Sequence, residues 1–198
     1  MQLVAESFAW PFRGDWRRAW LPGLVCTLLL PLLFIPLLGY AVEATRARSA
    51  GPPPWRFSAR LFTDGFWTSL AVLVSILPFA VAWMAVHGSA LVRVVAFFLL
   101  ALPWGLLVLL LLPHATGRFA ATGRPADLFD MSASIRSVRR DFAGWNTVAA
   151  AMVTGWAVGL ACVGLLCIGL VPGVLYAILV SAHAAATLQT EDPRPSAR

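Results

Sequence analysis

The stretches FWTSLAVLVSILPFAVAWMAV (residues 66–86) and ALVRVVAFFLLALPWGLLVLLLLP (residues 90–113) decide the fold. They contain one charged side chain between them, Arg93. Each falls in the range of roughly 19–24 residues that an α-helix, rising about 1.5 Å per residue, needs to cross about 30 Å of hydrocarbon. Residues 145–168 and 170–188 form two further runs of this kind, without Asp, Glu, Lys or Arg. The pattern predicts an all-α, polytopic helical membrane protein.

Working outward, charge crowds into the segments between these runs. The chain of 198 residues is 60% apolar and 12% charged, about half the charged fraction of an ordinary soluble domain. Its net charge is +6, carried by Arg with no Lys. Because the arginines flank apolar runs, anionic lipid headgroups at the cytoplasmic face are the expected partner, and nucleic acid is not. Cys26, Cys162 and Cys167 lie inside apolar sequence with no Cys-x-x-Cys spacing, and we expect them to act as small apolar fillers. Arg17 and Arg18 precede an apolar run, but Pro22, Pro31 and Pro36 and the aromatic lead argue against a cleaved leader.

One pattern occurs three times: a short basic amphipathic segment, then apolar chain interrupted by a turn signal. FAWPFRGDWRRAW leads into residues 21–42, PWRFSARLFTDG into two runs meeting at His87-Gly88-Ser89, and ADLFDMSASIRSVRRDF into two meeting at Ile168–Pro172. The units also end alike, in GYAVEATRAR, LPHATGRFA and LVSAHAAAT. The expected architecture is three repeated units of amphipathic interfacial helix plus apolar helical hairpin, the first hairpin short or re-entrant. Residues 1–190 then make one membrane domain, with apolar helices over 20–34, 36–48, 66–87, 90–113, 145–168 and 170–188. Residues 191–198 form a disordered polar tail.

In the third basic segment Leu128, Met131, Ile135, Val138 and Phe142 recur at spacings of three and four, predicting one apolar helix face lying in the headgroup plane. Trp55, Ala59, Phe62 and Phe66 follow the same spacing. Phe8, Trp10, Phe12, Trp16 and Trp20 supply aromatic bodies suited to the interface. Arg13, Arg17, Arg18, Arg56, Arg60, Arg136, Arg139 and Arg140 are the candidate headgroup contacts. If residues 20–42 turn back at Pro31–Pro36, every arginine except Arg93 and all nine acids share one side. Enrichment of Arg on the cytoplasmic side favours this hairpin over a single crossing, and sets both termini in the cytoplasm.

No catalytic, cofactor or metal motif stands out. His87, His114 and His183 lack His-Glu-x-x-His spacing. His87 and His114 are expected at helix ends, reaching water. The intramembrane polar candidates are His183, Asp64 and Glu43, for which the structural reading is a carbonyl partner for the histidine and ion pairs with arginines for the acids. Gly155 and Gly159 have Gly-x-x-x-Gly spacing, suited to close helix contact within the chain. Pro78, Pro103 and Pro172 are expected to kink or end helices.

The landmarks Phe12, Asp15 and Trp16, then Gly39-Tyr40, Pro54-Trp55 and Asp64-Gly65, with GRFAATGRPADLFD and CIGLVPGVLYAILVSAHA, run in order through most of the chain. In this it resembles a prokaryotic membrane-protein family, domain of unknown function 4013. The resemblance implies a multi-helix membrane domain found in bacteria and archaea, and carries no activity or site residue. The expectation is a non-catalytic integral protein of the cytoplasmic membrane that contacts lipids and a membrane-protein partner. The alternatives are a small-solute transporter or its accessory subunit and, last, a lipid-acting enzyme using His183 or Asp64.

Overall fold

The computed structural model describes residues 2–47, 51–161 and 169–187. Among them the chain is helical, without strands: α1 (Gln2–Ala9), a 3-10 turn (Trp10–Phe12), α2 (Trp16–Leu28), α3 (Leu30–Arg46), α4 (Ala59–Met84), α5 (Ala90–Thr122), α6 (Ala126–Phe129), α7 (Met131–Arg140), α8 (Phe142–Ala161) and α9 (Leu170–Thr187). Cys162, Cys167, the last residues of the 145–168 run and the 191–198 tail lie outside the described residues.

Local chemistry explains the boundaries. Ser58 and Ser89 accept hydrogen bonds from the Leu61 and Val92 amides and so start α4 and α5. The first apolar stretch breaks at Leu29 (φ −95°, ψ 31°) and is non-helical again at Leu33 (φ −110°, ψ 21°). Leu33 lies three residues before Pro36, whose ring and missing N–H disturb the preceding turn. Pro78, Pro103 and Pro113 are instead carried inside continuous helices. The Trp104 indole donates to the Ser75 carbonyl at 2.7 Å, tying α5 to α4 one turn before Pro78. α5 runs nine residues past Pro113 and stops at Gly123, whose φ of 70° suits a residue without Cβ. His114 is therefore inside a helix and 8% exposed, not at an end reaching water. His87 lies in the exposed loop after α4, as expected.

The amphipathic segments differ from their periodicity. Trp55 precedes α4 in chain without regular secondary structure, stacked on Tyr40 at 4.1 Å. Residues 126–142 are three helices because the Asp130 and Asp141 carboxylates accept amides of Ala133 and Gly144 and restart the helix. This splits the predicted apolar face: Leu128 and Val138 are buried, whereas Met131, Ile135 and Phe142 are exposed. Trp10 is likewise no interfacial ring, being 2% exposed against α9.

The core gathers Trp10, Cys26, Leu37, Tyr40, Leu175 and Leu179 from the N-terminal turn, α2, α3 and α9. Helices α3, α5 and α9 each touch the other two. The closest pairs are α3–α4 and α8–α9, and both are glycine contacts. A Cβ on Gly39 would fall on the Leu61 carbonyl oxygen, and one on Gly65 on that of Ile35. Gly159 and Gly173 block each other in the same reciprocal way, and Gly155 meets Val180. Gly155 and Gly159 thus serve contact within the chain. Away from α3, α4 and α5 present bare apolar surface, with Leu77, Met84, Leu91 and Leu99 each more than 60% exposed.

Candidate functional site

The glycine crossing of α3 and α4 brings together the polar residues just beyond it. Asp64 follows the exposed Arg60 by one helical turn and precedes Gly65, so it enters the α3–α4 seam and is 7% exposed. Its Oδ2 accepts from Arg46 Nη2 at 2.9 Å and lies 3.8 Å from Arg60 Nε. Arg46 Nε donates to the Ala120 carbonyl near the C-terminal end of α5, at 2.9 Å. One guanidinium therefore joins α3, α4 and α5, at a helix end whose carbonyls favour a cation. The Tyr40 hydroxyl donates to the Pro53 carbonyl at 2.8 Å, and the Trp55 indole to the Ala19 carbonyl, pinning the Gly-Pro-Pro-Pro loop of residues 51–54 over this end of α3.

Beside the pair is a cavity of about 240 Å³ lined by Glu43, Arg46, Ser58, Arg60 and Asp64. Glu43, a half-buried wall of this cavity, makes no hydrogen bond or ion pair within 4 Å among the described residues. Arg46, Arg56 and Arg60 act on it through space. The expectation that both acids pair with arginines thus meets contact geometry at Asp64 and not at Glu43. A second crevice, of about 220 Å³, lies between α4, α5 and the α6–α7 corner and is mostly apolar, with Pro78, Trp104, Leu107 and Phe129 on its walls.

His183 lies elsewhere, on α9. Its Nδ1 shares a hydrogen bond of 3.1 Å with Ser7 Oγ, and its ring lies 5.0 Å from that of Trp10. The partner is a hydroxyl on α1, not the carbonyl expected from the sequence; α1 was not anticipated as a packing element. The cavity lined by Asp64 and Glu43 does not include His183.

A third polar group joins α5 to the α6–α7 corner. Arg118 Nη2 donates to Asp127 Oδ1 at 2.8 Å and lies 3.6 Å from Asp130 Oδ2. The Asp130 carboxyl is held below the usual carboxylate range, first by the Ala133 amide and next by the Ser132 hydroxyl, with Arg118 and Arg136 adding to it. The eight candidate headgroup arginines, Arg13, Arg17, Arg18, Arg56, Arg60, Arg136, Arg139 and Arg140, are all exposed. Among the described residues no group of three or more His, Cys, Asp or Glu is arranged to hold a metal ion.

No curated protein and no solved structure matches the chain. The profile of the family described as "Protein of unknown function (DUF4013)" matches residues 23–180, more than half of the chain, from α2 into α9 and across the Arg46–Asp64 pair. The chain belongs to that family.

Proposed function

We propose that the chain is a non-catalytic, polytopic protein of the cytoplasmic membrane whose basic face engages anionic lipid headgroups. One observation carries this reading. In α4, long and apolar enough to cross a membrane, only 22% of the most apolar 18-residue window is buried within the chain. The core helix of a water-soluble domain would be covered; hydrocarbon matches a surface left this bare. Hydroxyls on the apolar helices agree with it: Thr68, Ser75, Thr116 and Thr154 donate to carbonyls four residues back, which meets their hydrogen-bond need without water. Apart from Arg93, the exposed arginines lie outside these stretches and suit anionic headgroups.

The three-unit reading draws support from the contacts. Each basic segment meets the inner helix of the unit before it, cyclically: residues 53–60 meet α3, α6–α7 meet α5, and the 3-10 turn of the first segment meets α9. In the like endings, Glu43, His114 and His183 occupy corresponding places, followed by buried Ala44, Ala115 and Ala184. Each is acted on by a charged group of the segment that follows in the cycle: Arg56, Asp141 and Arg13. With 13 residues α2 reaches about 20 Å, short of a crossing, which supports a first unit that turns back and, with it, both termini on the cytoplasmic side.

The test is the thermal stability of the purified chain in vesicles of rising phosphatidylglycerol content. Stability should climb with anionic fraction, and climb less for Arg136→Gln/Arg139→Gln/Arg140→Gln. A flat response in the unmodified chain would end this reading. The second reading, a small-solute transporter or its accessory subunit, is favoured by the break between α2 and α3. Solute flux into reconstituted vesicles would select it.

A further inference from the structure

We infer that the cavity of Glu43, Arg46, Ser58, Arg60 and Asp64 binds a zwitterionic headgroup bearing a primary ammonium and a phosphate, the chemistry of phosphoethanolamine. The inference rests on the membrane reading above and identifies one lipid class at one site.

The charges select the ligand. Arg46 and Asp64 satisfy each other, and Arg46 is further committed to the Ala120 carbonyl, so this pair forms a fixed and nearly neutral floor. What remains is Glu43 on one wall and Arg60 at the mouth, with its side chain 66% exposed and 3.8 Å from Asp64, and Arg56 acting on Glu43 from the adjoining loop. A simple anion entering here would face Glu43, and a simple cation would face Arg56 and Arg60. A ligand carrying both signs meets each with its complement: ammonium N–H groups donate to the Glu43 carboxylate, and phosphate oxygens accept from Arg60 and Arg56. A quaternary ammonium has no N–H for Glu43. Nor does the Tyr40 ring offer it an open face, being fully buried and stacked on Trp55. The surroundings point to lipid as the source. Phe57 and Phe62, beside the lining residues Ser58 and Leu61, are 63% and 47% exposed, and Phe66 follows at 52% where the apolar part of α4 begins. Aromatic rings and arginines at the foot of an apolar helix mark the headgroup level.

Native mass spectrometry of the full chain, delipidated in detergent and titrated with chain-matched lipids, tests this. Phosphatidylethanolamine should bind roughly tenfold or more tightly than phosphatidylcholine, the loss expected for a charge-assisted hydrogen bond. Affinity should fall stepwise through the mono- and dimethylated headgroups, a series that needs no variant. Glu43→Gln should abolish the preference, and Arg60→Gln should weaken both lipids. Equal binding of the ethanolamine and choline lipids by the unmodified chain overturns the proposal. Soluble glycerophosphoethanolamine should compete only weakly; if it binds as tightly as the lipid, the lipid assignment is overturned in favour of a soluble ligand. A flat response to phosphatidylglycerol with the ethanolamine preference intact would sink the anionic-face reading and leave this site standing.

Discussion

Asp64 is buried because Arg46 and Arg60 reach it, and Arg46 is ordered because Asp64 and the Ala120 carbonyl fix it. Removing one member strands the other. Asp64→Ala should lower stability by on the order of 3 kcal/mol in a thermal or denaturant melt. The double variant Asp64→Leu/Arg46→Met should lose less than the sum of the single changes, because no unpaired charge is left behind. Asp130 gives a pH signature. Its carboxyl sits lower in the folded chain than in the unfolded one, so its contribution is complete above the unfolded value of about 3.9 and is lost as pH falls through the lowered folded value. The stability gap between the unmodified chain and Asp130→Asn should be constant from pH 7 to about 5 and close below about 4. The sequence pointed to Asp64 and Glu43 as partners for arginines. It could not say which arginine, since Arg46 and Asp64 are 18 residues apart and meet only through the helix crossing.

That crossing belongs to the element scale. Gly39→Ala or Gly65→Ala should cost about 1–3 kcal/mol, because the new methyl meets a backbone carbonyl that cannot rotate away. Gly105→Ala is the contrasting case: a Cβ there meets nothing within 4 Å, and stability should hold or rise by up to about 1 kcal/mol from helix propensity. Thermal unfolding of the three variants side by side checks both signs. The Gly155–Gly159 contact was legible because both glycines lie one turn apart on one helix. Gly39 and Gly65 share no such spacing: each is the lone glycine within its own helix, and their partnership follows from tertiary packing. Apolar runs located the bodies of α4, α5, α8 and α9, yet not the extension of α5 beyond Pro113. A proline reads as a stop in sequence, although a helix can carry it.

For the whole molecule, the contacts that support the proposed three-unit reading are only half visible in the sequence. The three like endings can be read there, but the closure of α1 onto α9 joins residues 176 apart through Ser7 and His183. If the first unit turns back as proposed, reporters fused at residues 1 and 198 should both be active in the cytoplasm. An N-terminal reporter active outside would make the first apolar stretch a full crossing and remove the equivalence of the three units.

The reciprocal glycine contacts also set the mechanics. Where backbone meets backbone there are no side chains to re-rotate, so α3 with α4, and α8 with α9, can move only as two stiff plates. Any change of shape must be taken up between the plates. α5, which lies between them in sequence, touches both, and Arg46 latches its C-terminal end to one of them. Releasing that latch would let the plates pivot while each stayed rigid. Hydrogen exchange should then quicken in α5 well before it does at either glycine seam.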